Sequence, residues 1–228
     1  MKTPLTLMPL AILALLAGCA APSASDANDA KDANDADVPV SSARFDAVVR
    51  SSFQANGPVT LARLDQDDTQ KFCSDPAHAT GKAFEAERQR LEQANAATIQ
   101  WPANGQYMGD WKRGELIAQS GRGLTWTDPA GSLNGGNCYN CHMIDKKEIS
   151  FGTIGPSLWN YGKLRKVTDP ASPAAAPVVK YTWGKIWNSK SNNACSNMPR
   201  VGHMGILTEA QIRDVMALLL DPKSPVNQ

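Results

Sequence analysis

The sequence predicts a mainly α-helical protein, and the prediction rests on its helical periodicity, its capping residues and its few strand signals. Apolar residues recur at helical spacing in several segments of the 228-residue chain. Asp110 and the run Thr208-Glu209-Ala210-Gln211 are typical helix starts. The stretch between them is rich in Gly, Asn and Pro. We therefore expect helices joined by irregular loops.

The N-terminus has the pattern of an export signal. Lys2 precedes an apolar segment, residues 5–16, that is too short to span a bilayer. The segment ends in Leu16-Ala17-Gly18-Cys19, which resembles a bacterial lipobox. We predict a lipoprotein signal peptide at residues 1–18 and lipidation of Cys19; the alternative is ordinary signal-peptidase cleavage near Ala20-Ala21. Ala20 after the cysteine favours outer-membrane sorting, so we expect a periplasmic protein held to that membrane by its lipid.

A tether and a helical extension are predicted next. The acidic Ala/Asp/Asn run within residues 19–38 cannot bury a core, which predicts a solvated tether behind the lipid. Residues 39–103 form the N-terminal extension, with helices predicted at about 45–53, 61–72 and 80–99. Phe84, Leu91 and Ile99 mark the apolar stripe of the third helix. We expect that stripe to lie on the domain that follows.

A second domain is predicted at residues 104–228. Asp110 should cap a helix over residues 111–119, which carries Gly114. The capping box at Thr208 should start a helix that stops before Pro222. Another helix, carrying Tyr181, Trp183 and Trp187, is predicted between these two.

The run Cys138-Tyr139-Asn140-Cys141-His142 is a C-x-x-C-H motif, the pattern that attaches a c-type haem. Thiols at this spacing reach the vinyl groups of one porphyrin, and the adjacent histidine meets the iron. The alternative, half of a zinc site, needs further Cys or His ligands at suitable spacing. The sequence has no second C-x-x-C and no H-x-x-x-H. We therefore predict one covalent haem c on Cys138 and Cys141, with His142 as an axial ligand.

Two later segments complete the predicted haem site, and both resemble class I cytochromes c. In Gly155-Pro156-Ser157-Leu158, the carbonyl of Pro156 would accept a hydrogen bond from His142 and Leu158 would pack on the porphyrin; the alternative is a simple turn. Met198-Pro199, with Gly202 and Leu207 to Ile212 behind it, is similar to the distal loop of that class. Met198 is the expected distal ligand, with Met204 and His203 as alternatives.

The class I resemblance also implies a fold. In that class the first and last helices cross closely at a glycine, and Gly114 is the candidate here. The expected fold is therefore a class I cytochrome c fold with an α-helical N-terminal extension.

Each of the five cysteines can then be assigned a role. Lipid takes Cys19, haem takes Cys138 and Cys141, and Cys73 and Cys195 remain as a pair in an oxidising compartment. We predict a disulfide between Cys73 and Cys195. The alternatives are free thiols, or a redox or iron-ligand role for Cys195.

The charge balance gives no sign of a polyanionic partner. The chain has 23 Lys and Arg against 22 Asp and Glu, a formal net charge of +1. Nucleic-acid binding, which depends on a basic surface, is therefore not expected.

Longer runs resemble one family, SoxX, the monohaem cytochrome subunit of the SoxAX thiosulfate-oxidising complex. They are Gly109-Asp110-Trp111-Lys112, Gly121-Arg122-Gly123, Asn134-Gly135-Gly136-Asn137 leading into the haem motif, Gly152-Thr153-Ile154 leading into G-P-x-L, and Met198-Pro199-Arg200-Val201-Gly202-His203. The resemblance covers roughly residues 61–228. The lipobox and tether lie outside it, and an anchor is not typical of the soluble members.

The resemblance implies an electron-accepting, non-catalytic subunit of an L-cysteine S-thiosulfotransferase. The active-site cysteine would lie on a SoxA partner, expected here to be monohaem and to form a heterodimer with this chain. SoxYZ would bind transiently as the carrier, and a small cytochrome c would take the electrons onward. One alternative is a free-standing, membrane-anchored class I cytochrome c that shuttles electrons. Another is a haem sensor or peroxidase-like protein in which the methionine leaves the iron and a small ligand binds.

Overall fold

The computed structural model describes residues 41–76 and 81–228. The predicted signal peptide, the lipidated Cys19 and the tether to residue 38 lie outside the described residues, as does the predicted start of the third helix at residue 80. The second of the two units of the chain, Ala47–Gln228, contains the site. Within residues 41–76 and 81–228, no helix has the length and apolar character needed to cross a membrane.

The described elements are helical, as the sequence predicts. The α-helices are α1 Ser42–Ser52, α2 Asp68–Ser74, α3 Lys82–Ala96, α4 Trp111–Gln119, α5 Tyr161–Leu164, α6 Ala176–Trp187 and α7 Glu209–Leu220. Short 3-10 turns lie at Leu61–Leu64, Cys138–Asn140, Ser189–Ser191 and Pro225–Asn227. Among the described residues, extended pairing is limited to an isolated bridge between Asn56 and Val59.

The close crossing of α4 and α7 is the central contact of the second unit. Asp110 caps α4 by accepting from Lys112 N at 2.8 Å, and the Thr208–Gln211 capping box starts α7. Gly114 lies at the crossing, where an added Cβ would be 2.1 Å from the carbonyl oxygen of Asp214. The predicted role of Gly114 is therefore confirmed: only hydrogen lets the two backbones approach this closely.

The main core lies between α4, α6 and α7. α7 is buried almost all round, because α4 covers one side and α6 another, and its Ile212, Met216 and Leu218 have no measurable exposure. α6 contributes Trp183 and Trp187, whose rings stack with centroids 5.9 Å apart. Tyr181 on the same helix is instead half exposed.

The extension packs on the second domain through its own small core. Phe72, Leu91 and Ala194 are buried together, with Phe84 and the cysteines beside them. The Cys73–Cys195 disulfide is present and joins residues 122 apart in sequence. The apolar stripe of α3 thus covers the segment around Ala194, while Ile99, beyond the helix end, packs against the main core.

The prediction of a single helix at residues 61–72 is wrong. Residues 61–72 do not form a continuous helix, because the 3-10 turn Leu61–Leu64 ends at Asp65 and α2 begins after Asp67. The side chain of Asp67 accepts from Gln70 N, and Gln70 Oε1 accepts from Asp67 N. This capping box favours a new helix start over continuation of the first turn.

Candidate functional site

The loop before the C-x-x-C-H motif is held by the C-terminal end of α4. Gly136 N donates to Ile117 O at 2.8 Å, and Asn137 N donates to Ser120 O at 2.9 Å. Ile117 O is one of the last-turn carbonyls that have no partner within their own helix. Asn137 has φ 51°, a left-handed conformation that asparagine tolerates better than most residues. Cys138 follows directly, so the first thiol of the motif is fixed relative to α4.

His142 is oriented by the loop that follows the motif. Its Nδ1–H donates to Pro156 O at 2.7 Å, the hydrogen bond that the G-P-x-L segment predicts. In a neutral imidazole this bond places the proton on Nδ1 and leaves Nε2 with a free lone pair. A Cβ added at Gly155 would lie 2.2 Å from Cε1 of His142, so the imidazole lies directly against that backbone.

The two motif cysteines are both half-buried. Burial, and to a lesser extent the neighbouring Cys141, raise the pKa of the Cys138 thiol to about 12. Cys138 lies at the edge of the main core, as do Leu158, Met198 and Ile206. A motif thiol, the G-P-x-L leucine and the predicted distal methionine thus all pack, partly buried, against the main core.

The three candidate distal ligands differ in burial. They belong to the methionine loop, defined here as residues 192–207. Met198 is half-buried against the main core, whereas Met204 is 57 % exposed and His203 is exposed. Ser189 Oγ donates to Met198 O at 2.5 Å and fixes the backbone of Met198. This arrangement favours Met198 over its rivals.

The residues present fit a His/Met haem c. Two thiols, an imidazole with a free Nε2 and a thioether form the donor set that such a haem needs. Trp187 lies against the methionine loop, since a Cβ added at Gly202 would be 2.5 Å from its indole. Its buried Nε1–H has no hydrogen-bond partner among the described residues. Orphaned buried donors are rare, and a polar group of the cofactor would satisfy this one.

A polar contact inside the motif was not predicted from the sequence. Tyr139, between the two cysteines, is buried; its hydroxyl donates to Glu115 Oε1 at 2.9 Å and accepts from Asp145 N at 3.1 Å. Burial raises the pKa of the Glu115 carboxyl above its ordinary value. No sequence pattern links Glu115 on α4 with Tyr139. Their contact depends on how the loop before the motif folds back onto the helix near Ile117.

The fold and this donor set define a protein that binds haem covalently and transfers electrons. Residues 130–222 match the Cytochrome c family. A protein of Aquifex aeolicus (strain VF5), described as "Uncharacterized lipoprotein", is 37 % identical to the chain over 164 residues, which are 72 % of this chain and 73 % of that protein. The chain therefore contains a cytochrome c domain in its C-terminal part. When bound, its haem c supplies one-electron chemistry at the iron.

Proposed function

We propose that the chain is the monohaem, electron-accepting subunit of a SoxAX-type thiosulfate-oxidising complex. The proposal is carried by the long motif runs, above all Asn-Cys-Tyr-Asn-Cys-His at 137–142 and Met-Pro-Arg-Val-Gly-His at 198–203. These runs are much more specific than C-x-x-C-H alone. The arrangement of Gly155, Pro156 and His142, with an imidazole fixed on its Nδ1 side, agrees with an electron carrier that keeps its proximal ligand.

The proposed reaction divides the chemistry between chains. On the partner, an S–S bond forms between the outer sulfur of thiosulfate and a carrier cysteine, with release of one proton and two electrons. The present chain accepts those electrons in two successive one-electron steps and passes them to a small cytochrome c. Its own cysteines are committed to haem and to the Cys73–Cys195 disulfide, and the lipidation of Cys19 remains a prediction. The chain alone should therefore not turn over thiosulfate.

Co-purification tests the partner directly. The full chain, extracted in mild detergent from its host after growth on thiosulfate, should bring down a second haem-staining polypeptide. The mixed fraction should reduce the present chain's haem in a thiosulfate-dependent way only when a carrier protein with a free cysteine is added. A monomer that exchanges electrons rapidly with small cytochromes, and binds no such partner under these conditions, would instead support a free-standing shuttle.

We also propose Met198 as the distal iron ligand, on the basis of its partial burial against the main core and its fixed backbone. The matched pair Met198→Ala and Met204→Ala tests this. Only the first should abolish the far-red methionine-to-iron absorption band of the oxidised protein and lower its reduction potential, because a thioether favours ferrous iron. Loss of the band in Met204→Ala alone would transfer the assignment to Met204.

The anchoring proposal is periplasmic attachment through lipid on Cys19. It is supported by the lipobox and by the description of the Aquifex relative as a lipoprotein. Mass spectrometry of the mature N-terminal peptide should show a diacylglyceryl-modified cysteine. An unmodified N-terminus at Ala20 or beyond would contradict it.

A further inference from the structure

The extension contacts the methionine loop on both sides of Met198. Before the methionine, Cys195 is bonded to Cys73 of α2, and Ala194 N donates to Glu92 Oε1 of α3 at 3.2 Å. After it, the guanidinium of Arg200 pairs with Asp67 Oδ2 at 2.5 Å. The loop is therefore fastened to the extension as well as to its own domain.

The ion pair between Arg200 and Asp67, after Met198 in the loop, is largely shielded from solvent on the arginine side. The Arg200 side chain is only 8 % exposed, and Asp67 is the carboxylate that pairs with it. The capping box of α2 uses Oδ1 of Asp67 and leaves Oδ2 for the guanidinium. Burial raises the pKa of Asp67, but the hydrogen bonds from Gln70 N and Arg200, with the charges of Arg200 and Lys190, outweigh it and lower that pKa. The carboxylate is thus charged and committed to the loop.

A buried polar chain holds the extension itself in place. Asn95 Nδ2 of α3 donates to Thr69 Oγ1 of α2 at 3.1 Å, and Asn188 Nδ2 at the end of α6 donates to Asn95 Oδ1 at 3.0 Å. All three residues are buried, with Asn188 at 0 % exposure. Removing any one would leave buried polar groups without partners, so α2 and α3 are rigidly positioned relative to α6.

We propose that Asp67 and the Cys73–Cys195 disulfide are positioning residues for the distal ligand. They hold the loop at Arg200 and at Cys195, so that the thioether of Met198 between them stays on the iron and outside ligands are excluded. The N-terminal extension thus has a function in ligand retention that is separate from binding a partner. This inference rests on the assignment of Met198 as the ligand and not on the proposed partner.

The substitution Asp67→Asn isolates the ion pair, because an asparagine side chain still caps α2 while the charge is lost. Its neighbour Asp68→Asn is the matched control, since Asp68 is exposed in the first turn of the same helix and loses the same charge. The double variant Cys73→Ser/Cys195→Ser removes the other attachment independently. Met198→Ala, which lacks the proposed distal ligand altogether, is the reference for complete loss of that ligand.

The readouts are the far-red band, the reduction potential and carbon monoxide binding to the reduced full-length holoprotein. Asp67→Asn should weaken the band, lower the potential and increase carbon monoxide affinity roughly tenfold or more, the order expected for losing a hydrogen bond to a charged group. The disulfide-free variant should shift all three readouts in the same directions. Asp68→Asn should change none of these.

The sign of the potential shift separates positioning from simple electrostatics. Loss of a nearby negative charge by itself disfavours ferric iron and would raise the potential, whereas loosening a thioether lowers it. A raised or unchanged potential with unaltered carbon monoxide binding in both variants would overturn the inference. An unchanged band in Met198→Ala would remove the ligand assignment and this inference together. A lost band there, with Asp67→Asn and the disulfide-free variant both unaltered, would remove this inference alone.

Discussion

Replacing Gly114 by alanine should weaken the crossing of α4 and α7. A Cβ at this position would lie 2.1 Å from Asp214 O and 2.7 Å from Asp214 C, where ordinary contact begins at 3.4 Å. The helices would have to separate by 3.4 − 2.1 = 1.3 Å along that direction. The obstacle is backbone, so no rotamer change can relieve it.

The expected magnitude combines two opposing effects. Overpacking of this kind costs about 1–3 kcal/mol, and a contact with backbone belongs at the upper end. Alanine in a helix interior is itself favoured over glycine by about 1 kcal/mol. The net expectation is a loss of about 2 kcal/mol, which for a protein of this size lowers Tm by about 4–8 °C.

Thermal unfolding of the holoprotein, followed by far-UV circular dichroism, measures this change. Leu116→Ala is the control on the same helix, because Leu116 is 68 % exposed and its loss should change stability by about 0.5 kcal/mol or less. A Tm for Gly114→Ala equal to or above that of the parent would refute the close-crossing argument, since only the favourable helix propensity would then remain.

Three further stability predictions follow from the same structure. Replacing Cys73 and Cys195 by serine opens a loop of 122 residues, and loop-closure entropy predicts a loss of about 5 kcal/mol, measurable by urea unfolding against the parent. Replacing Asp214 by alanine should cost about 1–3 kcal/mol because the partly buried Asp110 N loses its acceptor, at 2.8 Å. Asp214→Asn, whose amide oxygen can still accept, should cost less, and equal losses would contradict this. The raised pKa of Glu115, caused by burial, means that the folded state holds the proton more tightly, so stability falls as pH rises from the ordinary value of 4.5 through the raised one. In Glu115→Gln that part of the pH dependence should vanish, and an unchanged slope would count against it.

Most of the secondary structure could be predicted because its signals are local. Asp110 and the Thr208 box start their helices through side-chain hydrogen bonds that span only a few residues. The prediction of one continuous helix at residues 61–72 was wrong because it did not take the capping box at Asp67 into account. In the structure that capping box starts a separate helix.

The site divides in a similar way. The C-x-x-C-H motif is enough to predict the cofactor, because the spacing of the two thiols and the adjacent imidazole are set by the order of residues along the chain. The pairing of Cys73 with Cys195 followed from counting, because no other use remained for these cysteines. In contrast, nothing in the sequence connects Asp67 with Arg200, or Glu115 with Tyr139.

Covalent haem attachment, a proximal histidine and the starts of the main helices can be predicted from the sequence alone, because each depends on neighbouring residues. Contacts between distant segments, such as that of Asp67 with the loop that carries Met198, become visible only in the folded protein. The physical reason is that capping and motif spacing act over one turn of chain. An ion pair or a close helix crossing forms only when packing of the whole core brings its partners together.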